Sequence, residues 1–305
     1  MKVVLKRISF LLILILVFLG CKKENYSIKE EKIYISLKDS YDRKINFSKK
    51  PKRIISLAPN ITEIIFLLGE EKKLVGRTDY CDYPSEAKNI QSVGSLINPS
   101  IEKIIDLSPD LVIASIHFQK ETLQILEKLN IKVYVGVILN DYEDIYKLIE
   151  DIGIILDKKE QGLQIITNMK SKIEEVKNKT KNLKKPNIYY MLSFGEDGDF
   201  TAGKDTFISY FINIAGGNNI GDEIKGWKYS KERLIERNPD IIVCSKYNNI
   251  KEQIKDSSIY KELKAVKNNK VYEIDNNILE RMSPRNIEGI LELVKFFHPE
   301  ITNDK

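Results

Sequence analysis

SIEKIIDLSPDLVI (Ser100–Ile113) and SKERLIERNPDIIV (Ser230–Val243) are two copies of one pattern, set 130 residues apart. Each opens on Ser, has Glu two places later and then a basic residue, runs through two aliphatic residues and an acid, and closes on Pro-Asp and a β-branched run. The pattern predicts a capped helix, a proline stop and a buried strand. Ser100 and Ser230 are placed to accept hydrogen bonds from free N–H groups of the first turn. Glu102 and Glu232 fall in that turn, where a negative charge suits the helix dipole. DLVIAS and DIIVCS have the short β-branched character of parallel-sheet strands. Lys132-Val133-Tyr134 and Lys270-Val271-Tyr272 follow the two copies at a similar distance. Helix–proline–strand junctions are common, but a shared Glu and a shared Pro-Asp are not generic apolar matches. The period is too long for a solenoid. The expected fold class is therefore α/β, with two similar Rossmann-like lobes on mainly parallel sheets.

Between the copies, residues 158–183 (KKEQGLQIITNMKSKIEEVKNKTKNL) are rich in Lys, Glu and Gln, with Gly162 the only breaker. They predict one long helix, stopped by Pro186, with a strand at 188–192 opening the second sheet. Residues 31–50 alternate apolar and polar residues about Asp39-Ser40-Tyr41-Asp42, a β-hairpin pattern. A buried strand is expected at Arg53–Leu57. Asn60 would cap the next helix with Glu63 as its capping-box partner, Ile61, Ile64, Ile65 and Leu68 would form one face, and Gly69 would end it. A strand at Leu74–Arg77, helices at 119–129 and 141–156 and a strand at 131–137 complete the first lobe. The expected division is a leader over 1–20, a tether and hairpin over 21–50, a first lobe over 51–157, a linking helix over 158–185 and a second lobe over 186–305. A single long helix between lobes permits only a modest hinge.

Lys2, Lys6 and Arg7 precede an apolar run of 13 residues, ISFLLILILVFLG, ending before Cys21. That is short of the ~20 residues of a spanning helix and matches a secretory signal peptide. Phe18-Leu19-Gly20-Cys21 resembles a bacterial lipobox, which implies cleavage before Cys21 and its acylation. Losing 1–20 removes three basic residues and no acid, so the formal charge of +5 falls to +2. Nothing in that balance points to nucleic acid. Cys81 and Cys244 then remain, in different lobes, and read as small buried side chains rather than a disulfide. His117 and His298 are the only two histidines, too few for a His-rich metal cluster. Both read as structural, although His117, just past a strand end, could face a ligand.

The familiar catalytic motifs are missing: there is no Gly-x-Ser-x-Gly elbow, no Walker loop, no His-Glu-x-x-His and no Cys-x-x-Cys. Instead, loops after strands carry Tyr80, Tyr83, Leu96, Phe194, Trp227, Asn277, Arg281 and Arg285. Ligands of open α/β sheets gather at such ends, and aromatics with a few polar groups suit a large flat ligand.

RIISLAPNITEIIFLLG, TDYCDYP, SIEKIIDLSPDLVIAS, FTAGK, AGGNNI and MSPR together resemble the class III periplasmic binding proteins, the substrate receptors of ABC importers for cobalamin, ferric siderophores and haem. The resemblance covers about residue 31 to the end and is nearest to the cobalamin binders. It implies a non-enzymatic receptor with no resident cofactor and no metal site of its own. Its ligand would be a metal chelate such as cobalamin, haem or a ferric siderophore. It implies ligand contact by Tyr80, Leu96, Phe194, Trp227, Asn277 and Arg281. Leu96 stands where the cobalamin binders have a second Trp, and Asn277 where they have Asp. Catecholate chelates would want several cleft arginines, and Arg77, Arg281 and Arg285 are the ones expected there. The resemblance also implies that Glu102 and Glu232 dock onto an ABC permease dimer with its ATPase, and two equivalent carboxylates suit a two-fold partner. An exported monomer is expected, held at the membrane by a lipid on Cys21, with no nucleic-acid partner. Two other classes fit less well. A nitrogenase-like cluster enzyme would need more cysteines, and a receptor for a bare metal ion would need more His or carboxylate ligands.

Overall fold

A computed structural model describes residues 33–115, 118–136, 141–195 and 198–301. Cys21 and His117 lie outside the described residues. In chain order the strands are β1 (Ile35–Lys38), β2 (Lys44–Phe47), β3 (Ile54–Ser56), β4 (Leu74–Arg77), β5 (Leu111–Ala114), β6 (Val133–Val135), β7 (Asn187–Met191), β8 (Ser193–Gly195), β9 (Gly198–Phe200), β10 (Asn218–Asn219), β11 (Lys228–Tyr229), β12 (Ile241–Ser245) and β13 (Val271–Ile274). Two four-stranded sheets have the same order, β4-β3-β5-β6 and β10-β7-β12-β13, and every pairing within them is parallel. The β1–β2 hairpin forms at the expected place. β11-β9-β8 is a small antiparallel sheet beside the second lobe, without a counterpart in the first among the described residues.

The apolar runs of the central strands β3, β5, β7 and β12 are explained by burial on both faces. In the first sheet Ile54, Leu111, Ile113 and Tyr134 face a core that continues into the second lobe through Ile188, Tyr190, Ile241 and Val243. The alternate residues Ile55, Val112, Ala114, Val133 and Val135 face a separate cluster with Ile104 and Leu123. In the second sheet Tyr189, Met191, Ile242 and Cys244 do the same with Leu234 and Tyr260. Cys81 and Cys244 are buried and free.

The long helix runs over Lys159–Thr180 and buries Ile166, Met169, Ile173 and Val176 in the shared core. Gly162 lets the helix lie close to its neighbour: a Cβ there would sit 3.3 Å from the carbonyl of Ile149, a tight contact, in the preceding helix Asp144–Ile155. At the far end the Thr180 hydroxyl donates to the carbonyl of Ile214 at 3.1 Å, tying the helix to the second lobe. Among the described residues no helix is long and apolar enough to cross a membrane.

The repeated pattern has one structural meaning in both copies. Ser100 Oγ accepts the N–H of Lys103 at 3.3 Å and Ser230 Oγ that of Arg233 at 3.2 Å, capping the helices Ile101–Asp106 and Lys231–Arg237. The Asp of each Pro-Asp braces the chain entering the sheet's first strand. Asp110 accepts the N–H groups of Lys52 and Arg53 at 2.8 and 3.1 Å, and Asp240 accepts that of Asn187 at 2.8 Å.

One expected cap is not formed. Pro59 takes the first helical position, where a missing N–H costs nothing, so the helix Pro59–Leu67 has Ala58 as its N-cap and no side-chain cap bond. Asn60 and Glu63 are thereby released from capping and turn toward the second lobe. Gly69 follows the helix end at φ +72° as expected.

Candidate functional site

A cavity of about 530 Å³ lies between the two parallel sheets, at the C-terminal ends of their strands. The first lobe contributes Ala58 to Ile61 after β3, Ser115 after β5, Gly136 after β6, and Leu96 and Leu148. The second contributes Leu192 after β7, Phe207, Trp227 and the run Glu280-Arg281-Met282. Most of this lining is apolar. Trp227 is held by its backbone, its carbonyl accepting the Thr201 N–H at 2.7 Å, and its side chain is about one-third exposed. Leu96 sits in a short turn bracketed by the bridge between Gly94 and Pro99. The two residues precede the capping Ser of their repeats by four and three positions, so they are near-equivalents on opposite walls.

Beside the apolar wall, polar groups cross from lobe to lobe. Asn60 Nδ2 donates to the Met282 carbonyl at 3.1 Å. Arg281 Nη1 donates to Asp82 Oδ1 at 2.6 Å and stands 3.7 Å from Glu63 Oε1. Arg285 Nη1 donates to the same Glu63 oxygen at 3.3 Å, and its guanidinium lies over the Tyr83 ring, 3.5 Å from the centroid. Burial pushes the Glu63 carboxyl up, against the pull of Ser283 and the two guanidiniums. Partial burial also works on Asp82, but Arg281 outweighs it and holds that carboxyl below its usual range. Glu280 is engaged by the Tyr190 hydroxyl at 3.0 Å and by Asn276 Nδ2 at 2.8 Å.

A family model described as "Periplasmic binding protein" matches residues 54–278, well over half of the chain. The chain belongs to the periplasmic binding protein family. An uncharacterized ABC transporter substrate-binding lipoprotein of Bacillus subtilis, YvrC, is 31% identical over 89% of this chain and 88% of its own length. A vitamin B12-binding protein of Vibrio parahaemolyticus is 28% identical over 81% of this chain and 89% of its own. Among solved structures, a possible iron-binding (periplasmic solute-binding) protein from Staphylococcus epidermidis superposes with a TM-score of 0.72 at 29% identity, covering 81% of this chain and 99% of that one.

In this periplasmic binding protein, three of the six ligand-contact residues implied by the sequence meet on the cavity: Leu96, Trp227 and Arg281. The other three do not line it. Phe194 is a β8 residue that packs edge-on against Tyr260, 5.4 Å between centroids, because the segment expected as a loop pairs with β9. Asn277 starts a short helix and bonds the Tyr247 hydroxyl at 3.3 Å. Tyr80 is 58% exposed on its loop, outside the lining. Arg77 is also spoken for, donating to the carbonyls of Thr78, Ala87 and Lys88. Sequence reading missed Phe207, Leu192, Met282 and above all Glu63. Pro59 was the available signal, since proline at the first helical position removes the need for Asn60 as a cap. Glu102 and Glu232 are both exposed, and neither makes an ion pair among the described residues. Among those residues no group of three or more His, Cys, Asp or Glu is arranged to hold a metal ion. His298 bonds the Gly216 carbonyl through Nε2 at 3.1 Å, a packing role.

Proposed function

We propose that this protein is the solute-capturing component of an ABC importer and takes a corrinoid or a similar large metal chelate into the cavity between its sheets. The wall carries this reading. Trp227, Leu96, Ile61, Leu148, Leu192, Phe207 and Met282 make an apolar surface, and the charged groups beside it are already paired. Such a lining suits a large flat ligand with few formal charges. The likeness to a vitamin B12-binding protein supports it. The likeness to a possible iron-binding protein supports a second reading, a ferric siderophore or haem in the same cavity. The role is that of a receptor rather than an enzyme, since the polar groups of the wall form ion pairs and not a nucleophile with its base. The ligand is cargo and not a resident cofactor.

In this reading Glu102 and Glu232 each dock one subunit of a permease dimer, with a lipid on Cys21 holding the receptor at the extracytoplasmic membrane surface. The lipoprotein name of the Bacillus relative supports the anchor. The test is titration of the chain from residue 22 onward with cyanocobalamin, haem and ferric siderophores, followed by Trp227 fluorescence and checked by calorimetry. Tight cyanocobalamin binding is expected. Silence with it, and binding of haem or an iron chelate, moves the cargo and keeps the receptor role. Binding of none of them ends the proposal. Docking is tested apart, with Glu102→Lys and Glu232→Lys together, where normal stimulation of the transporter by loaded receptor would refute it.

A further inference from the structure

Three carboxylates stand on or directly behind the polar wall of the cavity, Glu63, Asp82 and Glu280, against two guanidiniums, Arg281 and Arg285. Arg281 is the cation that reaches the lining, and it faces both Glu63 and Asp82. These two partners differ in kind. The Asp82 side chain is 41% exposed and can swing away into water. The Glu63 side chain is 2% exposed, fixed in the helix Pro59–Leu67 between Arg281 and Arg285, and has no comparable route out. An anionic ligand that sought Arg281 could displace Asp82 but would still meet the buried charge of Glu63.

We infer that Glu63 is a specificity-determining residue that acts through Arg281, as the fixed counter-ion that makes the cavity select uncharged chelates over anionic ones. The inference rests on the cavity being the ligand site. Removing a fixed anion at this range favours an anionic ligand, whereas an uncharged ligand of the same shape gains little. A purely structural role for Glu63, as a clasp between the lobes, would change affinity for both ligands together.

The experiment uses matched probes that differ in charge: cyanocobalamin and its monocarboxylate derivative, and an uncharged ferric trihydroxamate and a trianionic ferric tris-catecholate. Calorimetry on the wild type and on Glu63→Gln gives the ratio of anionic to neutral affinity within each pair. The ratio is expected to rise at least tenfold in Glu63→Gln for the pair that binds. Glu63→Met, which removes the charge and keeps most of the side-chain volume, is expected to raise it likewise and serves if Glu63→Gln does not fold. An unchanged ratio in the folded variants overturns the inference while leaving the cavity as the ligand site. Binding of no probe by the wild type removes both.

Discussion

The two lobes share a strand order, a capped helix and a braced Pro-Asp, yet they build opposite walls of the cavity from different material. The first lobe offers the start of a helix and the aliphatic residues Ile61, Leu96 and Leu148. The second offers aromatics, Phe207 and Trp227, and the charged pair Glu280-Arg281. The difference begins at near-equivalent positions. Leu96 rides a turn of a few residues, whereas Trp227 leads into β11, the edge of a three-stranded sheet with no counterpart in the first lobe among the described residues. The parts that repeat hold each sheet together, and the parts that differ face the cavity. The shared frame and the differing strand-end loops are thus separate parts of the structure, as expected where a scaffold positions variable loops.

The sharpest way to break this comparison is to truncate the two near-equivalent residues. Trp227→Ala is expected to weaken ligand binding by about 2–4 kcal/mol, as for a central aromatic anchor. Leu96→Ala should cost no more than about 1 kcal/mol, because far less apolar area is lost. Calorimetric affinities with whichever chelate binds would decide it, and equal losses would show that the walls are functionally symmetric.

Symmetry should hold instead at the aspartates. Asp110→Ala and Asp240→Ala each remove a charged acceptor from strand-entry N–H groups and should each cost about 1.5–3 kcal/mol in urea unfolding. The acid limb sharpens the comparison. Partial burial pulls the Asp240 carboxyl up, but its bonds to Lys264 and to the N–H of Asn187 win and hold it below the usual carboxylate range. Its stabilisation is therefore fully present above the ordinary carboxylate pKa of about 3.9 and is lost as pH falls through the depressed value. Asp240→Asn should flatten the stability profile below about pH 4, and an unchanged acid limb would count against this account. The smallest effect should come from the caps. Ser100→Ala and Ser230→Ala should each cost about 1 kcal/mol and by nearly equal amounts, and unequal losses would mean that one helix is held mainly by its packing.

Legibility divided along the same line. Caps, proline stops and double-sided strands depend on residues a few places apart, so Ser100, Pro109, Ser230 and Pro239 could be read directly, and so could the long helix and the hairpin. Asn60 and Glu63 were harder, with Pro59 their one local signal. Their spacing satisfies a local capping rule, while the partner of Asn60, Met282, lies 222 residues away. Phe194 was misplaced for a related reason, since whether a Gly-rich polar segment forms a loop or an antiparallel ribbon depends on the strand that lies beside it. Trp227 was found because a lone Trp before a capped helix is conspicuous, but the other aromatic on its wall, Phe207, resembles any apolar residue at the start of a helix.

The helix Lys159–Thr180 has a consequence of its own. At about 1.5 Å per residue, its 22 residues make a strut roughly 33 Å long, buried along one side and tied at both ends. Such a strut works as the frame of a caliper. On the proposed receptor role, it would let the jaws tilt slightly while fixing their gauge, so the faces carrying Glu102 and Glu232 would keep nearly the same separation whether the jaws were empty or full. A partner that spans both faces would register the contents through small changes in angle rather than through a change in span.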